Sequence, residues 1–549
     1  MLAPCPLRRE ISFRLAKSSS VLLVFCLLGG LGAVLAQQGQ APPAPNLPRA
    51  TRPETPQTAA PPNHADVPGA GIGVEAQQPP VTPPQPRAQG PITKAQAKEL
   101  FRSVDEILRF VNTDTGLPIK QSVKRKLITR EAIENYIEKR IKEDKDTQKL
   151  ERSQAILKKF GLLPPGYDLH AQFLRLLDEQ VAAYYDAKTK TVNLLDWVPP
   201  DQQRPVLAHE LTHALQDQKV DLQKWSLAGA PDDRPQPDNQ EEVVEEAQAA
   251  RQAVTEGQAM VVFLDYSLAP MGKDVLSAPE MVDVMRAGMG DSSESPEFSR
   301  APMFLKESLL MPYTFGIDFV RYVLVHRGKD AAFPGMLDRP PADTRQVMQP
   351  ETYLANEVVP PLKVPDLDKL VGRDYERYDF GEMGEFDVYL LTKQYAAERD
   401  PKEIYPHWRG GYYFAVHRKN TPKDQIALLY LSHWDSPEAA QEFARIYLEY
   451  SPRRYNVPGG TIGSGGSGDR EVWCNCGGQA NVKLKTKGED LLILEDFDSN
   501  TEENLRAALL LGRVPAGSPS VPARKQTGAA MPGQIPKLRT TIQPDPSIN

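Results

Sequence analysis

Residues 209–218 read His209-Glu210-Leu211-Thr212-His213-Ala214-Leu215-Gln216-Asp217-Gln218, and the fold has to be built around them. On an α-helix His209 and His213 stand one turn apart, about 40° around the axis, so both imidazoles leave the same face. Two nitrogen donors at that spacing suit one Zn2+ at about 2.0–2.1 Å each. Glu210 lies on the flank of that face, where a carboxylate reaches a water on the metal without ligating the metal, the position of a general base. Leu207, Leu211 and Leu215 fall on the opposite face and predict a buried back to the helix.

Two histidines leave a catalytic zinc one protein ligand short. A continuation with Gly at position 216 and His at 219 would supply a third imidazole, but the chain has Gln216 and Lys219. The next source is a carboxylate on a later helix. A long helical stretch from Glu241 to Tyr266 carries Ala249, Ala253, Glu256, Gly257, Met260 and Leu264 on one face. Small residues there predict close approach to the metal helix, with Glu256 extended to the ion. Gly257 costs about 1 kcal/mol of helix propensity relative to Ala, which close packing would offset. Glu242 and Glu245 lie on nearly the same face and are rivals for the third ligand, or partners that orient an imidazole. Asp217, one turn after His213, is another orienting candidate or a solvated residue at the helix end.

The motif at 209–218, followed by Thr255-Glu256-Gly257-Gln258-Ala259, resembles the gluzincin metallopeptidases, particularly exported bacterial zincin-like proteins with a Glu-Gly-x-Ala third-ligand segment. The stretch Leu177–Asp186 also resembles the segment before their edge strand. The resemblance covers roughly residues 150–360. It implies zinc as cofactor, a zincin core of helices with a small sheet, and hydrolysis of peptide bonds in a protein or peptide substrate. Thr255 stands where the thermolysin-type signature has Asn, so that subgroup's substrate pocket does not carry over. In the implied chemistry zinc lowers the pKa of its water toward ~7, and Glu210 takes the proton and returns it to the leaving amine. Tyr184, Tyr185, Tyr313 and Tyr353 are available to stabilise an oxyanion, and nothing in the sequence selects among them.

Working toward the N-terminus, Thr189–Leu195 reads as a short strand, an edge to which substrate backbone would add. His170–Tyr185 and Arg130–Glu143 read as helices. Thr93 is the N-cap of another, with Phe101, Val104, Ile107, Leu108 and Val111 at three-four spacing. Residues 37–92 are Pro-, Ala- and Gln-rich and predict a disordered linker. Before them Arg8, Arg9, Arg14 and Lys17 precede an uncharged run from Val21 to Ala36. At about 16 residues it falls short of the ~20 of a spanning helix. With Val34-Leu35-Ala36 as a cleavage site, residues 1–36 read as a signal peptide. That predicts a secreted, periplasmic or cell-envelope protein without stable membrane insertion, unless the signal stays uncleaved.

Toward the C-terminus, strands are expected at Tyr412–Val416, Ile426–Leu431, Asn481–Thr486 and Asp490–Leu494. Helices are expected from Ser436 and from Thr501. The fold class is therefore α+β: a mainly helical zincin-like catalytic domain with a small sheet (93–375), then a separate α+β domain (376–514) and a disordered tail (515–549). The Gly-rich run at 458–468 lacks a Lys-Ser/Thr ending and reads as a flexible connector. Trp408, Tyr412, Tyr413 and Trp434 read as core aromatics. Cys474 and Cys476 are open to two readings, a local disulfide in an oxidising compartment or two ordinary residues of a strand or turn. Across 549 residues the net charge is −7, with 40% hydrophobic and 25% charged residues, a soluble composition that offers nothing to a nucleic-acid partner. The competing reading is a non-catalytic envelope binding or scaffold protein on a zincin core.

Overall fold

A computed structural model describes residues 91–510, apart from 130, 133–145, 170, 173–174, 177–182, 227–242, 291–294, 423–424, 458–460, 466–470 and 477–479. The expected signal peptide, all but the last two residues of the linker, the tail, most of the helix at 130–143 and the rival ligand Glu242 lie outside these residues, as does the side chain of Glu245. The protein is α+β, mainly helical, with two sheets.

Thr93 caps α1 (Lys94–Thr115) through a capping box with Gln96, and Val104, Ile107, Leu108 and Val111 are buried along it. Strand β1 (Lys124–Ile128) and helix α2 (Asp146–Lys159) follow. Then come β2 (Tyr184–Asp186), β3 (Thr191–Leu195), α3 (Pro200–Val220) and α4 (Val243–Leu268). After α5 (Glu280–Gly290) and α6 (Met303–Arg327), a one-turn π-helix spans Ala331–Gly335. The small sheet has the order β1-β3-β2, with β1 parallel and β2 antiparallel to β3.

Two expectations are corrected here. Tyr184 and Tyr185 do not end a helix; they pair with Asn193 and Val192 in a strand, a state that aromatic residues favour once a partner strand is present. The β3 strand is central and not an edge, because β1 and β2 flank it, and the outer side of β2 is packed on α3 through Tyr185. Gln203 fastens α3 to β3: its side chain accepts from Leu195 N and donates to Leu195 O and Val198 O.

The larger sheet is antiparallel throughout, in the order β4-β5-β6-β10-β9-β8-β7. Its strands are β4 (Tyr375–Glu382), β5 (Trp408–Arg418), β6 (Ile426–Trp434), β7 (Thr461–Gly465), β8 (Glu471–Cys476), β9 (Ala480–Lys487) and β10 (Asp490–Glu495). Helices α7 (Glu385–Tyr395), α8 (Pro437–Arg454, capped by Ser436) and α9 (Ser499–Leu510) complete it. Part of the Gly-rich run is thus the edge strand β7 and not a connector, because it pairs along β8. Central strands are buried on both sides. Tyr413, Leu428, Tyr430 and Ile493 join the main core, while Phe414, Leu429, Leu492 and Leu494 pack with Leu367 and Leu505 on the other face. Trp408, Tyr412, Tyr413 and Trp434 are core residues, and Cys474 is bonded to Cys476.

One apolar cluster runs without a break from Leu100 on α1 to Ile493 on β10. Among the described residues only α6 is long and apolar enough to cross a membrane, and 56% of that span is buried in the fold, as suits a core helix.

Candidate metal centre

Pro200 opens α3 at its first position, where a missing N–H costs nothing, and Asp221 in the left-handed region ends it (φ 55°). Every residue from Val206 to Asp217 is buried. The helix therefore runs through the interior, with α1, α4 and the small sheet around it, and burial is not confined to the leucine face. Its imidazoles point toward α4. His209 Nε2 and His213 Nε2 are 3.1 Å apart, and Glu256 Oε2 lies 3.2 Å from the first and 3.4 Å from the second. In a tetrahedral site with bonds of about 2.0–2.1 Å, neighbouring donor atoms are ~3.3–3.4 Å apart. The three basic atoms thus already form one face of such a tetrahedron. His209, His213 and Glu256 are the residues able to hold a divalent metal, and among the described residues no other His, Cys, Asp or Glu group of this kind occurs.

Chain comparisons offer no parallel. No protein-family model, curated protein or solved structure matches the sequence or the fold.

Electrostatics follow from burial. His209 is 0%, Glu210 1%, His213 6% and Glu256 1% exposed, so charges here are unscreened and must answer one another. Burial lowers the basicity of His209. It acts the same way on His213, but the Glu256 carboxylate outweighs it and raises that imidazole to about 9. Burial would raise Glu256, yet the two imidazoles hold it well below the usual carboxylate range. Glu210 feels the same His213 and Glu256 charges, but desolvation dominates and pushes it up to about 8. One of its oxygens, Oε2, accepts from the Tyr185 backbone N–H at 2.7 Å, whereas the buried Oε1 has no hydrogen-bond partner among the described residues.

The surrounding side chains divide into those the sequence left open and those it missed. Asp217 accepts from the Tyr185 hydroxyl at 2.7 Å, from Lys190 and from Leu222 N; it pins β2 to the end of α3. Tyr353 donates to Arg339 O, away from the cluster. Tyr313 on α6 is the tyrosine that meets a candidate ligand: its hydroxyl is hydrogen-bonded to Glu256, and its ring lies 6.3 Å from the His209 ring at 19°. Gln216 was legible only as a departure from the third-histidine pattern. It faces His213, three residues earlier, an i,i+3 relation that marks neighbours on a helix.

The small-residue face of α4 also meets a second helix. Gly257 packs against α6, where a Cβ would lie 2.2 Å from Gly316 O. Gly316 in turn presses on Ala253 O, at 2.4 Å from its own notional Cβ. The two helices cross there on their backbones, and that contact brings Tyr313 to Glu256.

Proposed function

We propose that the protein is a zinc-dependent metallopeptidase of the gluzincin type, acting in the envelope or exterior on protein or peptide substrates. The observation that carries this reading is the 3.1–3.4 Å triangle of His209 Nε2, His213 Nε2 and Glu256 Oε2, whose N,N,O donor set suits zinc. Held there, Zn2+ supplies Lewis acidity, which makes water nucleophilic near neutral pH and polarises a carbonyl. The chain's own residues do the rest. With a cation's charge beside it Glu210 would ionise, keep Oε2 on the Tyr185 N–H and use Oε1 to take a proton from water and deliver it to a leaving amine. A buried carboxylate oxygen without a partner costs about 1–3 kcal/mol or more, a cost that a water hydrogen-bonded there would offset. The extracellular assignment rests on the sequence of residues 1–36.

One observation favours the rival reading of a metal-holding scaffold: all four side chains are enclosed, with His213 the most exposed at 6%. A single experiment separates the two. Zinc content and cleavage of casein or a mixed peptide library are measured for the wild type, Glu210→Gln and Glu256→Ala. The peptidase reading expects zinc and cleavage in the wild type, zinc with cleavage reduced by at least ~10²-fold in Glu210→Gln, and loss of zinc in Glu256→Ala. Zinc without cleavage in the wild type supports the scaffold; equal cleavage by the wild type and Glu210→Gln removes the mechanism.

A further inference from the structure

Behind His213 a chain of hydrogen bonds leads out of the site, and its direction is dictated from its far end. Gln258 Nε2 lies 2.7 Å from Ala332 O and 2.9 Å from Phe333 O, both in the π-helix. Carbonyl oxygens only accept, so Gln258 must turn its amide nitrogen to them and its oxygen toward α3. That oxygen is 2.9 Å from Gln216 Nε2, which also donates to Thr255 O at 3.0 Å. Gln216 is therefore fixed with its own oxygen toward the imidazole, 2.9 Å from His213 Nδ1. An acceptor in that place requires the ring to donate from Nδ1, which leaves the lone pair on Nε2, the atom in the triangle with His209 and Glu256.

We propose that Gln216 is a positioning residue for the metal centre, and that with Gln258 it forms a one-way relay from the π-helix that sets the tautomer of His213. This rests on reading the cluster as a metal site. The same amide reaches the backbone of Thr255, the residue before Glu256, so one side chain holds an imidazole ligand in its binding tautomer and ties the carboxylate ligand's turn to the metal helix. Both sides of the amide are needed. Replacement of Gln216 by Glu would set a second acceptor against Thr255 O and Gln258 Oε1, which explains a neutral amide where a carboxylate is the commoner partner of a ligating imidazole.

The test uses the full-length protein and metal alone. Gln216→Met fills nearly the same volume without polar atoms, and Gln258→Met breaks the relay one step further out, at a residue that touches no ligand. Folding is checked by circular dichroism. Zn2+ and Co2+ affinities are then measured by competition with a chelator, and the Co2+ absorption bands are recorded. The relay predicts a loss of affinity of about 10–100-fold for Gln216→Met, a smaller loss for Gln258→Met, and altered Co2+ bands in both. A packing role alone would lower thermal stability and leave affinity and bands as in the wild type; that result overturns the relay while sparing the metal site. A folded wild type that binds neither ion overturns the metal reading itself. Should Gln216→Met fail to fold, Gln258→Met decides by the same criteria.

Discussion

Tyr313 shows how much of this centre depends on a side chain that no motif marks. Its phenol is fully buried, and burial followed by the nearby Glu256 and Glu210 carboxylates pushes its ionisation well above that of an ordinary tyrosine. It is therefore a proton-bearing donor at any working pH, held at the candidate ligand Glu256. On the peptidase reading, this hydroxyl would turn from Glu256 to stabilise negative charge developing on a substrate oxygen, and removal of one such donor costs about 10²–10³ in turnover. Tyr313→Phe is accordingly expected to retain zinc, to lose only about 1 kcal/mol of stability, and to reduce kcat by that order with KM little changed. Steady-state kinetics beside a zinc assay check this. A variant that cleaves at the wild-type rate would leave Tyr313 a packing residue of α6. Sequence could offer Tyr313 only as one of four tyrosines, because the contact that selects it joins residues on α6 and α4.

At the scale of elements, the crossing of α4 and α6 fixes where Glu256 stands. A methyl group at position 257 would meet a backbone oxygen at 2.2 Å, an obstacle that no side-chain rotation relieves. Overpacking of this kind costs about 1–3 kcal/mol, more than the ~1 kcal/mol of helix propensity that Ala regains over Gly. Gly257→Ala is expected to lower the unfolding midpoint and to weaken zinc binding together, since the helices must part beside the ligand. Gly166→Ala, where a Cβ meets nothing within 4 Å, is the control, and denaturant melts with metal titration read both variants. Equal behaviour of the two would refute the crossing as a determinant. What was legible in the sequence follows the same division. Helix α3 declared itself because the histidine spacing and the leucine period agree over residues 207–215, and Ser436, Thr93 and the apolar runs of β5, β6 and β10 announced their elements locally. Misreadings arose where state or partner is set from afar. Tyr184 and Tyr185 continue a helical pattern until β3 pairs with them, and Gly257 reports a close neighbour without saying which helix it is. The order β4-β5-β6-β10-β9-β8-β7 likewise turns on one pairing between segments far apart in the chain, β6 with β10, while its other neighbours are consecutive strands.

At the scale of the whole molecule, the helical part and the large sheet meet at Glu246, near the start of the helix that carries Glu256. Its Oε2 accepts from Thr344 N at 3.0 Å and from Thr344 Oγ1 at 2.6 Å, and Thr344 Oγ1 in turn accepts from Phe386 N at the start of α7. Gly384 is packed so closely that a Cβ there would lie 2.1 Å from the carboxylate. Asp387 on α7 and Asp343 beside Thr344 also face this group, and burial, followed by the Asp387 charge, pushes Glu246 up to about 8 from an ordinary 4.5. Asp387 itself is raised to about 6 by burial. A carboxyl group with a raised folded pKa binds its proton more tightly in the native state than in the unfolded chain. Its contribution to stability is therefore complete below pH 4.5 and is lost as pH rises through about 8. Stability of the metal-loaded protein should accordingly decline across that interval as like charges gather at the junction. Glu246→Gln keeps an acceptor for Thr344 and cannot ionise, so its decline should be shallower than that of the wild type. Groups common to both proteins, the metal cluster included, cancel in the comparison. Thermal midpoints measured at intervals from pH 5 to pH 9 provide the check: two parallel profiles would mean that Glu246 is already ionised at neutral pH, and that the junction is held by something other than a neutral carboxyl group.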